Sequence, residues 1–164
     1  MSRLASIAGS ALFFVLAPCV MGGLIPWWIS GWQMNRAPDQ IRYLGAALTV
    51  LALPGLIDSF RRFAVEGIGT PAPVAPTQSL VVTGLYRYVR NPMYVAVAAV
   101  IFGQALLLAN PWVGLYGAGF VAICHLFVVL YEEPALQRQF GVTYERYKKA
   151  VPRWIPRLTP WRGA

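Results

Sequence analysis

Four apolar runs punctuate the chain. The first extends from about Ser10 to Ile29, through ALFFVLAPCVMGGLIPWWI, and the second from about Ile41 to Phe60. The third extends from about Met93 to Leu108 and the fourth from about Trp112 to Tyr131. Each is mostly free of charge, with Asp58 near the end of the second. A helix that crosses a bilayer takes about 20 such residues, in a range of roughly 17–25. The third run is short for that and borrows adjoining residues. The pattern predicts an all-α integral membrane protein with about four transmembrane helices. The third and fourth are joined at Ala109-Asn110-Pro111, which predicts a tight antiparallel hairpin. Pro18 and Pro26 in the first run and Pro54 in the second are expected to bend or locally unwind their helices. A cleaved signal peptide is the other reading of the first run. Its basic start is only Arg3, and its apolar part is longer than a signal core, so a retained helix is expected.

Composition supports the membrane reading. The chain has 164 residues, room for one domain, of which 57% are hydrophobic and 12% charged, with mean hydropathy +0.54. Ordinary globular domains carry about 25% charged residues. Of the 14 Lys and Arg, only Arg36 and Arg42 fall between the first two runs, and none falls between the last two. Four crossings with both termini cytoplasmic therefore obey the positive-inside rule, and place Trp27, Trp28, Trp32 and Trp112 at the outer interface. The net charge of +8 reads as topology and as contact with anionic lipid, not as nucleic-acid binding. Small size points to a bacterial inner membrane as the location. Cys19 and Cys124 fall in apolar runs, and one His with no CxxC or HExxH gives no metal site.

The chemistry lies in two cytoplasmic pieces. The first, residues 61–90, contains GIGTPAPVAPTQSLVVTG, whose Pro71, Pro73 and Pro76 forbid a regular helix. It ends in GLYRYVRNPMY, where Asn91-Pro92 predicts a helix start with Asn91 as its cap. Topology alone accounts for Arg87 and Arg90. The density of Tyr86, Tyr88 and Tyr94 points to a pocket for a flat or charged ligand. The second piece, residues 132–164, opens with EEPALQRQFGVTYERYKKAVPRW. Leu136, Phe140, Tyr144 and Tyr147 recur at helical spacing, interrupted at Gly141, which predicts an amphipathic helix on the membrane surface or over a cytoplasmic site. Glu132 and Glu133 end an apolar helix where carboxylates are disfavoured by the helix dipole and by nearby hydrocarbon. They are expected to pair with Arg87 and Arg90 or to hold a ligand. Pro134 must be tolerated if the helix continues. His125, seven residues before Glu132, is expected on the same helix face, either packed or touching substrate.

LVVTGLYRYVRNPMYV followed by EEPALQRQFGVTYERYKKAVPRWIP resembles the isoprenylcysteine carboxyl methyltransferase and phospholipid methyltransferase superfamily, over about Gly67 to Pro156. The shared motifs are Gly-x-Tyr, Arg-(His/Asn)-Pro-x-Tyr, Glu-Glu and Phe-Gly-x-x-Tyr-x-x-Tyr. By its length the chain is expected to form a single domain, 1–164. Residues 1–60 would form two N-terminal helices, and 61–164 the part that binds S-adenosylmethionine (SAM). The resemblance implies a cytoplasmic cofactor site built from the loop before the third helix and the C-terminal segment. By motif position, Gln78, Ser79, Leu80, Val81, Tyr86, Asn91, Pro92, Met93 and Tyr94 would line the cofactor, with one of Glu132 and Glu133. Arg87 or Arg90 suits the cofactor carboxylate, and tyrosine faces suit sulfonium and adenine. Arg90, Glu132 and Glu133 are the expected catalytic residues, with His125 and Tyr147 toward substrate.

Asn91 stands where many members carry His and cannot titrate near neutral pH, so no general-base role is expected there. Phe127-Val128-Val129-Leu130 stands where prenylcysteine enzymes tend to carry an Arg, which points away from a prenylcysteine carboxylate. The resemblance implies a membrane lipid or lipidated molecule as acceptor, with isoprenylcysteine carboxylates and phospholipid amines both open. Competing readings are an NADPH-dependent membrane reductase and a non-catalytic lipid-binding protein.

Overall fold

The computed structural model describes residues 15–66 and 79–163. It is all-helical, with no strand among the described residues. A π-helical stretch, Val15–Leu24, leads into α1, Ile25–Ser30, and α2 is the long helix Asp39–Glu66. A 3₁₀ turn at Gly84–Arg87 precedes α3, Pro92–Leu107. Helix α4, Pro111–Phe127, passes through a second π-helical turn, Val128–Glu132, into α5, Glu133–Ala150. Most of the proline-rich piece, with Gln78, lies outside the described residues.

Two helical spans are long and apolar enough to cross a membrane, Asp39–Arg62 in α2 and the continuous run from Pro111 through α5. Val20–Ser30 and Pro92–Leu107 are shorter apolar helices, so among the described residues two of the four expected crossings have full length. The apolar window of α2 is 22% buried, whereas the core helix of a water-soluble domain is mostly buried. Leu44, Val50, Leu51 and Ile57 of α2 and Leu115, Ile123 and Leu126 of α4 are all exposed, as a lipid-facing surface requires. The family reported below and these exposed apolar helices together mark a membrane protein.

Helices α3 and α4 form the expected antiparallel hairpin. Gly114 faces Ala105, while Gly117 faces Phe102 and Ile101. Asn110 caps α4, its side chain accepting from the backbone of Trp112 at 3.0 Å and Val113 at 3.3 Å. Ala109 takes a positive φ of 48° to turn the chain. At this end Asn35 donates to the carbonyls of Leu108 and Ala109, which brings the segment after α1 beside the turn. Trp27, Trp28, Trp32 and Trp112 are all exposed there, as an interfacial belt would be.

The prolines act differently from one another. Pro18 lies inside the π-helical stretch, where local unwinding was expected. Pro26 instead stands in the first turn of α1. Lacking an N–H, it cannot donate to the Gly22 carbonyl four residues back. Gln104 Nε2 donates to that carbonyl at 2.5 Å, and Tyr116 Oη to the neighbouring carbonyl of Met21 at 2.8 Å. Neighbouring helices thus satisfy backbone that lipid could not. Pro54 lies within α2, which continues through it to Glu66.

Helices α2 and α3 cross at small residues. A Cβ on Gly45 would stand 2.5 Å from the Gly103 carbonyl oxygen, and one on Gly103 would stand 2.8 Å from the Gly45 carbonyl oxygen. Such close backbone approach is how helices associate in lipid, where hydrophobicity gives no attraction between them. Gly45→Ala should therefore lower the thermal midpoint of the detergent-solubilised protein, at a cost of about 1–3 kcal/mol. Gly119→Ala, which meets nothing within 4 Å, should leave it unchanged; equal midpoints for the two variants would contradict this crossing.

Candidate active site

The end of the bundle opposite the tryptophans carries the charged chemistry. Gly84 opens the 3₁₀ turn with φ 52°, and a Cβ there would stand 2.5 Å from Cζ of Arg62. Arg62 bonds Asp58 at 2.8 Å, Glu66 at 3.1 Å and the Thr83 hydroxyl at 2.9 Å, and that hydroxyl donates to Glu66. The end of α2 is thereby tied to the start of the GLYRYVRNPMY stretch.

That stretch is zipped to the C-terminal segment. Arg90 N donates to Pro152 O at 2.9 Å, Arg157 N to Tyr88 O at 3.0 Å and Trp161 N to Arg87 O at 2.9 Å. The order is antiparallel. Side chains reinforce it: Arg87 Nε donates to Trp161 O at 2.6 Å and Asn91 Nδ2 to Arg153 O at 3.1 Å. Asn91 therefore precedes α3 as expected but does not cap it with its side chain. Its amide is spent on the C-terminal segment, and Asn110 is the residue that caps.

Glu133 stands at the centre, with only 7% of its side chain exposed. Arg90 Nη1 reaches it at 2.9 Å, Arg153 at 2.6 and 3.1 Å, and Lys148 Nζ at 3.0 Å. Three cations around one carboxylate favour its charged form. The hydrogen bond to Glu133 in turn raises the pKa of Arg153. Arg90 also bonds Tyr144 Oη at 3.2 Å. Of the two glutamates expected to pair, Glu133 meets Arg90; Arg87 turns to Trp161 instead. Glu132, one residue earlier, bonds Tyr94 Oη at 3.3 Å and has no cation partner among the described residues.

The π-helical turn explains how this pair arises. The Glu133 N–H bonds the carbonyl of Val128, five residues back, and the wider turn admits Pro134 in the first turn of α5. The extra residue also breaks the simple seven-residue phase between His125 and Glu132. His125 lies on an exposed face of α4 and accepts from Trp154 Nε1 at 3.0 Å. Trp154 in turn packs on Tyr94, with ring centroids 6.4 Å apart. His125, Trp154, Tyr94 and Glu132 thus form one connected flank.

The remaining expected residues divide. Ser79 is exposed, Leu80, Met93 and Tyr94 are half-buried, and Val81, Asn91 and Pro92 are buried beside the zipper. Tyr86 is 4% exposed, and burial pushes its phenol well above the ordinary value, so it stays neutral. Tyr147 is 3% exposed, with its hydroxyl donating to Tyr86 O at 2.7 Å. Tyr147, expected toward substrate, is packed in the core of Tyr144, Tyr147 and Val151, against Leu80, Val82, Leu136, Phe140 and Trp161. Sequence reasoning missed Lys148, Arg153 and Trp154. The signal was VPRWIP, where an Arg and a Trp follow a proline that ends the basic helix.

The phospholipid methyltransferase family model matches residues 41–143. The chain belongs to that family. The match holds Arg90, Tyr94, Glu132 and Glu133 and stops short of Tyr144, Arg153 and Trp154. The chain is also similar to a protein-S-isoprenylcysteine O-methyltransferase of Schizosaccharomyces pombe, 36% identical over 86 residues. That stretch is 47% of this chain and 33% of the yeast protein, so the chain spans about a third of that relative's length. An uncharacterized protein of Haemophilus influenzae is 32% identical over 63 residues, 38% of this chain and 100% of its own. No solved structure matches.

Removing the Glu133 carboxylate strands Arg90, whose side chain is 9% exposed. Glu133→Ala should destabilise the protein by about 3–5 kcal/mol. Lys148→Ala removes a partner whose side chain is 43% exposed and should cost less than about 1 kcal/mol. Thermal unfolding of both variants in one detergent checks the ranking.

Proposed function

We propose that this chain is a SAM-dependent methyltransferase whose acceptor is a membrane-embedded or lipid-linked molecule, an amine-bearing phospholipid or an isoprenylcysteine-like carboxylate. One observation carries the reading within the family: the Arg-Asn-Pro-x-Tyr stretch and the Glu-Glu pair, 38 residues apart at Tyr94 and Glu132, meet at one end of the helical hairpin. Four crossings, cytoplasmic termini, and a catalytic unit of residues 61–164 behind two N-terminal helices belong to the same proposal.

The residues present fit the cofactor's chemistry. Arg90 Nε is buried with no hydrogen-bond partner among the described residues, so it can still donate to a ligand carboxylate. Glu133 is saturated by cations, which leaves Glu132 as the carboxylate for an ammonium or hydroxyl group. When bound, SAM supplies a methyl group on a positively charged sulfur, already activated for in-line displacement. The protein's part is alignment and exclusion of water, worth up to about 7–11 kcal/mol of the barrier. A carboxylate acceptor needs no base. An ammonium acceptor must first lose a proton, and Glu132, bonded by Tyr94, is the base in this proposal. The exposed apolar faces of α2 and α4 allow a lipid to approach from within the leaflet.

Calorimetric titration of the detergent-purified protein with S-adenosylhomocysteine should give saturable binding, and NADPH in parallel should give none. Binding of NADPH alone would overturn the reading in favour of a reductase. Transfer of labelled methyl from SAM into an added lipid extract should fall at least tenfold in Glu132→Gln, with the thermal midpoint of that variant unchanged.

A further inference from the structure

Trp154 lies beyond the family match, in a segment whose backbone is anchored on both sides of it. Arg153 is fixed on Glu133 and by Asn91, and Arg157 N bonds Tyr88 O. The Trp154 side chain is fixed as well. Its indole N–H donates to His125 Nδ1 at 3.0 Å, and its ring stands 6.0 Å from the imidazole and 6.4 Å from the Tyr94 ring. The Tyr94 hydroxyl in turn meets Glu132, the carboxylate with no cation partner among the described residues. Two electron-rich rings in contact, beside an uncompensated carboxylate in a half-buried setting, have the chemistry that attracts an organic cation. An anion is repelled from the same place. A neutral alkyl group gains only packing.

We propose that Tyr94, Trp154 and Glu132 form a subsite for an onium group, in which Trp154 determines specificity and His125 positions its ring. The inference rests on the methyltransferase reading. Two sources share this chemistry: the sulfonium of the methyl donor and the ammonium of an acceptor head group. Occupation by either makes the corner a filter for charge. His125 contributes as a hydrogen-bond acceptor, not as a group that touches the ligand.

Two matched pairs of probes separate the sources, with the full chain in maltoside micelles and binding read by thermophoresis. The donor pair is SAM against S-adenosylhomocysteine, which differ by one methyl and the charge on sulfur. The acceptor pair is a short-chain phosphocholine lipid against its 3,3-dimethylbutyl isostere, in which carbon replaces nitrogen. The wild-type chain should prefer the charged member of at least one pair by about tenfold, the scale of a desolvated cation–π contact. Trp154→Leu and Glu132→Gln should each abolish most of that preference, and Trp154→Phe should keep most of it. His125→Ala should lose part of it and His125→Gln, which retains an acceptor, should restore it; a merely structural histidine would not be rescued this way. No discrimination in either pair overturns the inference, as does full preference surviving in Trp154→Leu. If Trp154→Leu does not fold, full preference in Glu132→Gln overturns it instead. Should S-adenosylhomocysteine and SAM both fail to bind, the methyltransferase reading fails, and the lipid pair alone still decides whether the corner selects cations.

Discussion

A carboxylate withdrawn from water must be neutralised where it sits, and Glu133 is where this protein meets that demand. Its three cations come from different parts of the chain: the loop before α3, the second half of α5, and the segment after α5. None of those parts has a large apolar core of its own. The network converts three loosely related pieces into one surface. Buried ion pairs contribute little net stability against an apolar substitute, yet they are costly to break singly. Their value here lies in register. The Arg90 guanidinium has to stand opposite residue 133, and so the zipper between residues 87–91 and 152–161 has one alignment.

The two ends of the bundle obey different physics. At the tryptophan end, side chains are broad, amphipathic and exposed, and the chain turns by capping and by positive φ at Ala109. At the other end Arg62, Arg87, Arg90 and Arg153 are tied to carboxylates and backbone carbonyls. Between them α2 and α3 approach through Gly45 and Gly103, with Thr49 bonded back to the Gly45 carbonyl at 2.9 Å. Contacts of this kind suit a solvent of hydrocarbon, because shape rather than water drives them together.

Periodicity and charge made the large features legible. The apolar runs located α2, α3 and α4, the Asn-Pro pairs marked both helix starts, and the four-four-three spacing found the face of α5 that packs as Leu136, Phe140, Tyr144 and Tyr147. What stayed hidden was long-range pairing. Asn91 reads locally as a cap, and only the approach of Arg153 in space diverts its amide. Tyr147 reads as one more tyrosine near a site, but burial depends on Leu80 and Trp161, which are distant in sequence. Arg153 and Trp154 lie outside any helix, where neither period nor propensity marks a side chain. The π-type turn between His125 and Glu132 leaves no fixed signature in composition.

That turn at Val128–Glu132 sets direction as well as shape. A single extra residue in a helix rotates everything downstream by about 100°. A regular helix here would aim position 133 at a different neighbour. One wide turn re-aims a whole helix and its charges at once, with no side chain exchanged. Two adjacent glutamates thereby stand in separate surroundings, one locked among cations and one left beside aromatic rings.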